Sequence, residues 1–201
     1  MKIREMNKQQ KRESLLESAF SLFIAHGFGK TSIADIVGHA GVAKGTFYLY
    51  FKDKYDIRNH LITYKASQLF ISACEELAAH PEIIGFEDQV LFIIDKILDC
   101  FEAEPKLLVL LSKHLSWALF KNSISQSADS ETPAVREIFL NMFRQSEVAY
   151  RDPEYMIFMI LELTSGISYN TILYGSPASL GELKPHLYRT VRGIFEQFRD
   201  E

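Results

Sequence analysis

Residues 31–54, TSIADIVGHAGVAKGTFYLYFKDK, restrict the fold of this chain more than any other stretch, because two short helices and a tight turn are signalled there in succession. Ser32 followed by Asp35 is a capping box, in which hydroxyl and carboxylate each satisfy an N–H at a helix start. Ile33, Ile36, Val37 and Ala40 then recur at spacings of three and four, so one face is apolar and packs inward. Gly41 supplies the left-handed residue that commonly ends a helix. A second helix is predicted over residues 44–51, with Phe47 and Phe51 one turn apart on its buried face and Tyr50 at their edge. Its other side carries Lys44, Gly45, Thr46, Tyr48 and Leu49: a cation, a glycine that admits close backbone approach, a hydroxyl and an aromatic with a phenolic tip. The competing reading is a helical hairpin inside a core, for which the run Tyr48-Leu49-Tyr50 on the outer side is poorly suited.

This is the pattern of a helix-turn-helix, whose second helix lies in the major groove with its first residues against base edges and phosphates. N–H groups at a helix start also attract phosphate. The spacing of Ser32, Ile36, Ala40-Gly41-Val42, Lys44-Gly45-Thr46, Phe47-Tyr48, Tyr50-Phe51 and Lys52-x-Lys54 resembles the TetR family of bacterial transcriptional regulators, over roughly residues 10–62. Beyond them the resemblance is one of length and helical layout. It implies an all-α homodimer of about nine helices, with a three-helix DNA-binding domain over residues 1–54 and a ligand-binding and dimerisation domain over residues 55–201. It further implies a cytoplasmic, ligand-responsive repressor on a palindromic DNA operator, without a cofactor. DNA contacts then fall on Ser32, Lys44, Gly45, Thr46, Tyr48, Leu49, Tyr50 and Lys54. One departure is Ala43, where the family often has Ser; the missing side-chain cap is a loss of about 1 kcal/mol.

The charge distribution agrees with a reading unit at the start of the chain. The formal charge is −4 overall, yet residues 1–54 hold 9 Lys+Arg against 5 Asp+Glu, leaving the excess acid in the remainder. Screening confines each field to about 10 Å at 0.1 M salt, so an acidic body is compatible with a DNA-binding end. A content of 47% apolar and 24% charged residues is that of an ordinary globular chain with a real core. Cys74 and Cys100 form no CxxC pair, which fits small core residues in a reducing cytosol. The first ten residues lack the apolar segment of a signal peptide. Apolar runs are expected to be broken by charge before they reach membrane-spanning length, so no membrane association is expected.

Residues 1–8 read as a short charged arm with Lys2, Arg4 and Lys8. A helix is predicted over residues 9–26 from Leu15, Leu16, Ala19, Phe20 and Phe23, closed by Gly27, with Phe28 placed to pack back on Phe23. Gly29-Lys30-Thr31 imitates the end of a phosphate-binding loop, but the first glycine of that motif would fall at Ile24 and the segment follows a helix. A long helix over residues 53–79 follows, ending at His80-Pro81, with Lys54 in its first turn within reach of phosphate. Helices are then predicted over residues 86–103, 105–121, 133–150, 153–174 and 180–199, with a polar loop over residues 122–132.

The last helix has the stripe Leu183, Leu187, Val191, Ile194, Phe195 and Phe198, and the helix before it carries Thr164, Ser165, Gly166, Ser168 and Thr171, small enough for close backbone approach. The resemblance makes this pair a four-helix dimer interface; the alternative is that the stripe closes the monomer core. Candidate pocket residues for a small apolar or aromatic ligand are Phe70, Cys74, Phe101, His114, Trp117, Met159, Glu162 and Tyr169. His114 and Glu162 stand out because an ionisable group among apolar neighbours must be paired, neutral or used. Six histidines lack metal-type spacing and no nucleophile elbow occurs, so an enzyme is not expected. The other function considered is a DNA-binding assembly factor of similar fold that works through a protein partner without an inducer.

Overall fold

The computed structural model of the chain describes residues 2–111 and 135–200. Nine helices are described: α1 (Lys2–His26), α2 (Ile33–His39), α3 (Lys44–Tyr48), α4 (Lys54–Ala78), α5 (Phe86–Ala103), α6 (Pro105–Leu111), α7 (Val135–Arg144), α8 (Pro153–Tyr174) and α9 (Leu180–Phe198). Among the described residues no strand forms; the one β-bridge pairs Tyr150 with Arg199. The chain divides into two compact units, Met1–Tyr64 and Lys65–Glu201, and the division falls within α4.

In the first unit, Leu15, Leu16 and Ala19 of α1 and Ile36 of α2 are fully buried, the burial their spacing predicts. Polar contacts seat α2 on α1: Ser14 Oγ donates to Ala40 O at 3.4 Å, and His39 Nδ1 lies 3.1 Å from Ser18 Oγ. Gly27 takes φ +82° at the end of α1, and Phe28 folds back on Phe23 with ring centroids 5.2 Å apart. Gly41 takes φ +66° after α2, and the N–H of Val42 donates to Val37 O at 3.0 Å, closing a Schellman turn. Two boundaries differ from expectation. The expected arm is helical from Lys2, and α3 ends at Tyr48, where the expected helix ran to residue 51. Beyond Tyr48 the chain tightens into turns, with Tyr50 N and Phe51 N both donating to Phe47 O at 3.0 Å.

The second unit is built on Phe86, Val90, Ile94 and Leu98 of α5, Met156 and Ile160 of α8, and Leu187, Val191 and Phe195 of α9. Phe86 contacts Phe143, Tyr150 and Phe195 with centroid separations of 5.7–5.8 Å. Charged bonds fasten α5 to α9: Lys184 Nζ donates to Asp95 at 2.7 Å and also to Asp99, Tyr188 donates to Asp95, and Arg192 donates to Asp88 at 2.6 Å. Ser179 and Glu182 form a second capping box at the start of α9.

Much of the stripe expected at a dimer surface serves this core instead. Leu187, Val191 and Phe195 are at most 1% exposed within the single chain, because α9 turns its widest apolar face onto α5 and α8. Thr164, Ser165, Ser168 and Thr171 are buried as well. A further correction concerns apolar length: α8 has 22 residues and contains an 18-residue stretch of mean hydropathy 1.4, long and apolar enough by length and composition to cross a membrane. Glu154 and Glu162 do not interrupt it sufficiently. A third of that stretch is buried inside the chain.

Candidate nucleic-acid interface

One capping box and two glycine turns set the position of α3. Ser32 Oγ accepts from Asp35 N at 3.2 Å and donates to Asp35 Oδ2 at 2.7 Å, while Ser32 N donates to the same carboxylate at 2.8 Å. These bonds hold the Asp35 carboxyl below the usual aspartate range. Ser32 is exposed, with its hydroxyl proton engaged on Asp35. At the start of α3, Ala43 is extended (φ −70°, ψ 149°) and makes no side-chain cap, as its methyl group dictates.

Inside the unit, α3 is held by aromatics. Phe47 and Phe51 are at most 1% exposed, with centroids 5.6 Å apart. Outside, Tyr48 is 53% and Leu49 77% exposed, Lys44 and Gly45 are exposed, and Thr46 and Tyr50 are half-buried. Tyr48 stands edge-on to Phe47 at 5.4 Å, which orients the phenol without covering it. A Cβ added to Gly45 would meet nothing within 4 Å, so the fold itself does not require glycine there.

Lys54 is placed differently from the rest. Its ammonium donates to Phe28 O at 2.8 Å and Thr31 O at 2.9 Å and lies 4.4 Å from the Phe28 ring centroid. Two of its three N–H groups therefore cap the α1–α2 turn. Arg58 covers the same ring at 4.8 Å and Tyr55 at 5.4 Å, a cluster that the sequence motif did not reveal.

The second unit contains a cavity of about 50 Å³ lined by Ala66, Leu69 and Phe70 of α4, Val90, Ile93, Ile94 and Ile97 of α5, and Ile157, Ile160 and Leu161 of α8. Of the predicted pocket residues, Phe70 lines it. Phe101 is core at 1% exposure, Met159 is 48% exposed and Glu162 is exposed. Tyr169 is half-buried against Tyr174, and Cys74 and Cys100 are half-buried. Burial, helped by Glu75, pushes the Cys74 thiol up to about 11. His114 and Trp117, and the loop predicted over residues 122–132, lie outside the described residues. Thr164 Oγ1 is buried without a hydrogen-bond partner among the described residues, one turn beyond Ile160. No cluster of three metal-ligating side chains occurs among the described residues.

With α3 presented in this way, the comparison with known proteins is decisive for the N-terminal unit. Residues 15–61 match bacterial regulatory proteins of the tetR family. Over this unit the chain carries the helix-turn-helix of that family. The chain is 31% identical to the fatty acid metabolism regulator protein of Bacillus subtilis (strain 168) over 109 residues, 54% of this chain and 46% of that protein, so the match spans under half of the curated relative. A putative tetR family regulator from Shewanella sp. PV-4 shares the fold over 95% of this chain and 99% of its own, with a TM-score of 0.61 and 17% identity. The regulator FadR of Bacillus subtilis, whose crystal structure is a complex with stearoyl-CoA, aligns over 89% of this chain and 96% of its own, with a TM-score of 0.56 and 16% identity. The fold expected from the resemblance, all-α with an N-terminal helix-turn-helix, is the fold observed.

Proposed function

We propose that this chain is a tetR-family transcriptional repressor that binds a palindromic DNA operator as a homodimer and leaves it when an apolar ligand enters the second unit. The observation that carries the reading is the outer face of α3, where Lys44, Gly45, Tyr48 and Leu49 stand in solvent over a base of buried Phe47 and Phe51. A major groove admits such a helix and is read by its first residues. Gly45 supports the same role, because a residue with free space around it inside the protein is small for something outside.

Dimerisation is supported by α8. Large apolar side chains on an outer helix face call for a cover, and α8 leaves Tyr155, Phe158, Met159 and Tyr174 between 47% and 66% exposed in the single chain. Glu162, Gly166 and Asn170 continue that face at helical spacing. A second copy packed there, with the exposed side of α9, covers it.

For the ligand, the aliphatic walls of the cavity suit a hydrocarbon chain, the chemistry of the acyl-CoA bound to the Bacillus FadR. At about 50 Å³ the cavity must widen to reach the 300–1,000 Å³ of ordinary ligand sites. Ala66, Leu69 and Phe70 form its α4 wall, so widening displaces a helix whose first turns belong to the reading unit. Emptying an operator from 99:1 to 1:99 takes about 5.5 kcal/mol of ligand preference for the released state. The test is fluorescence anisotropy on inverted repeats from the DNA flanking the gene, with and without a long-chain acyl-CoA. Tight binding to one repeat and release by the acyl-CoA are expected; absence of repeat-specific binding would overturn the reading.

A further inference from the structure

Behind α3, a chain of contacts joins α1 and α4 to the link that follows it. Arg12 Nη2 of α1 lies 3.5 Å from His60 Nδ1 of α4. Arginine has no acceptor, so at this contact Nδ1 must accept and the proton of a neutral ring sits on Nε2. Nε2 faces Asp56 Oδ1 at 3.6 Å. The other oxygen of Asp56 accepts from the backbone N–H of Lys52 at 2.8 Å, in the link that follows α3. The His60 ring also lies against Phe51, 5.5 Å between centroids, and Arg12 caps the same phenyl at 5.9 Å. Phe51 in turn packs on Phe47, the buried anchor of α3.

We propose that His60 is a positioning residue for the reading helix: in its neutral form it completes a relay from Arg12 through Asp56 to Lys52 N–H, and on protonation that relay opens. Deepening the DNA-binding reading, the proposal rests on it for its consequence but not for its geometry. An imidazolium carries a proton on Nδ1, which turns the Arg12 contact into two donors and two positive charges facing each other. Arg12 from α1 and Asp56 from α4 itself are the charged groups that face the ring, and Phe51 from the link faces it with an apolar surface. Burial against these neighbours holds the imidazole below its ordinary pKa; Asp56 pulls it up and Arg12 adds to the lowering. The hold is therefore complete above the ordinary histidine range and is lost as pH falls through the lowered value. The side chain remains 44% exposed, so the effect is that of a surface contact.

The experiment uses the full chain without DNA. The ring is followed by NMR titration in the parent, Arg12→Gln and Asp56→Asn, and amide exchange at residues 50–52 is followed in the parent and in His60→Asn, which keeps an acceptor near the Nδ1 position. Expected are an Nε2–H tautomer, a midpoint that rises in Arg12→Gln and falls in Asp56→Asn, and about a threefold loss of amide protection from pH 7.5 to 5.5 that His60→Asn lacks, the size of one surface charge contact. A midpoint unmoved by both replacements, or the same protection profile in the parent and His60→Asn, would overturn the proposal and leave the DNA-binding assignment untouched. Parent-like DNA binding by α3 variants, with the titration and protection behaving as expected, would be the converse: the DNA-binding assignment would fall and the relay would stand.

Discussion

The ammonium of Lys54 donates to the backbone carbonyl of Thr31 at 2.9 Å, which pins the first turn of α4 to the turn that delivers α2. Together with the bond to Phe28 O and the ring beneath it, this makes Lys54 a structural cation of the reading unit. Lys54→Met is expected to destabilise that unit by about 1–2 kcal/mol, the charged-bond value discounted for partial exposure. Faster amide exchange at residues 31–40 is the measurement; unchanged exchange would show that the carbonyls are satisfied by water alone.

Gly45 separates folding from recognition. Ala at a helical position surrounded by free space is expected to stabilise the fold by up to about 1 kcal/mol. If a groove approaches α3 closely at this point, the same Gly45→Ala replacement weakens DNA binding. Urea unfolding and anisotropy on one preparation decide it: a gain in both would remove Gly45 from the interface.

How far the sequence carried can be judged on particular residues. The Ser32–Asp35 box, the Gly27 and Gly41 stops, the Phe23–Phe28 contact and the absent cap at Ala43 were legible because each is a local event set by a few adjacent residues. Ser179 and Glu182, three residues apart, form a box of the same local kind. The use of Leu187, Val191 and Phe195 was not legible, since periodicity shows that a face is apolar without saying which neighbour covers it. Met159 and Glu162 fell outside the cavity for the same reason: the apolar residues of α8 are not concentrated on one face, so its pattern fixes no inward direction. The second role of Lys54 depends on carbonyls 23 and 26 residues away, beyond any spacing rule.

The α5–α9 bonds lead to a pH dependence of known sign. Burial pushes the Asp95 carboxyl up, yet the bonds from Lys184 and Tyr188 outweigh it and hold it below the usual range. A carboxylate lowered in this way contributes stability above its unfolded pKa of about 3.9 and loses it as pH falls through the folded value. Lys184→Met is expected to melt earlier than the parent at pH 7, with the gap closing toward pH 3. A gap that stays constant would mean that the bond contributes through packing alone.

The exposed face of α8 gives a direct test of self-association. Phe158→Asp puts a charge on a residue 47% exposed in the single chain, so the monomer is expected to fold with its parent helicity. Light scattering should then show a monomer where the parent is a dimer. A parent that is itself monomeric at micromolar concentration would dismiss the interface.

The central claim is that α3 meets DNA with its outer side, and the most direct measurement is the affinity and salt dependence of Thr46→Ala/Tyr48→Ala against the parent on one operator duplex. The account predicts at least about a tenfold loss from two removed base or phosphate contacts, with circular dichroism and oligomeric state unchanged and a shallower salt slope if a phosphate contact is among them. Parent affinity with the parent slope would contradict it.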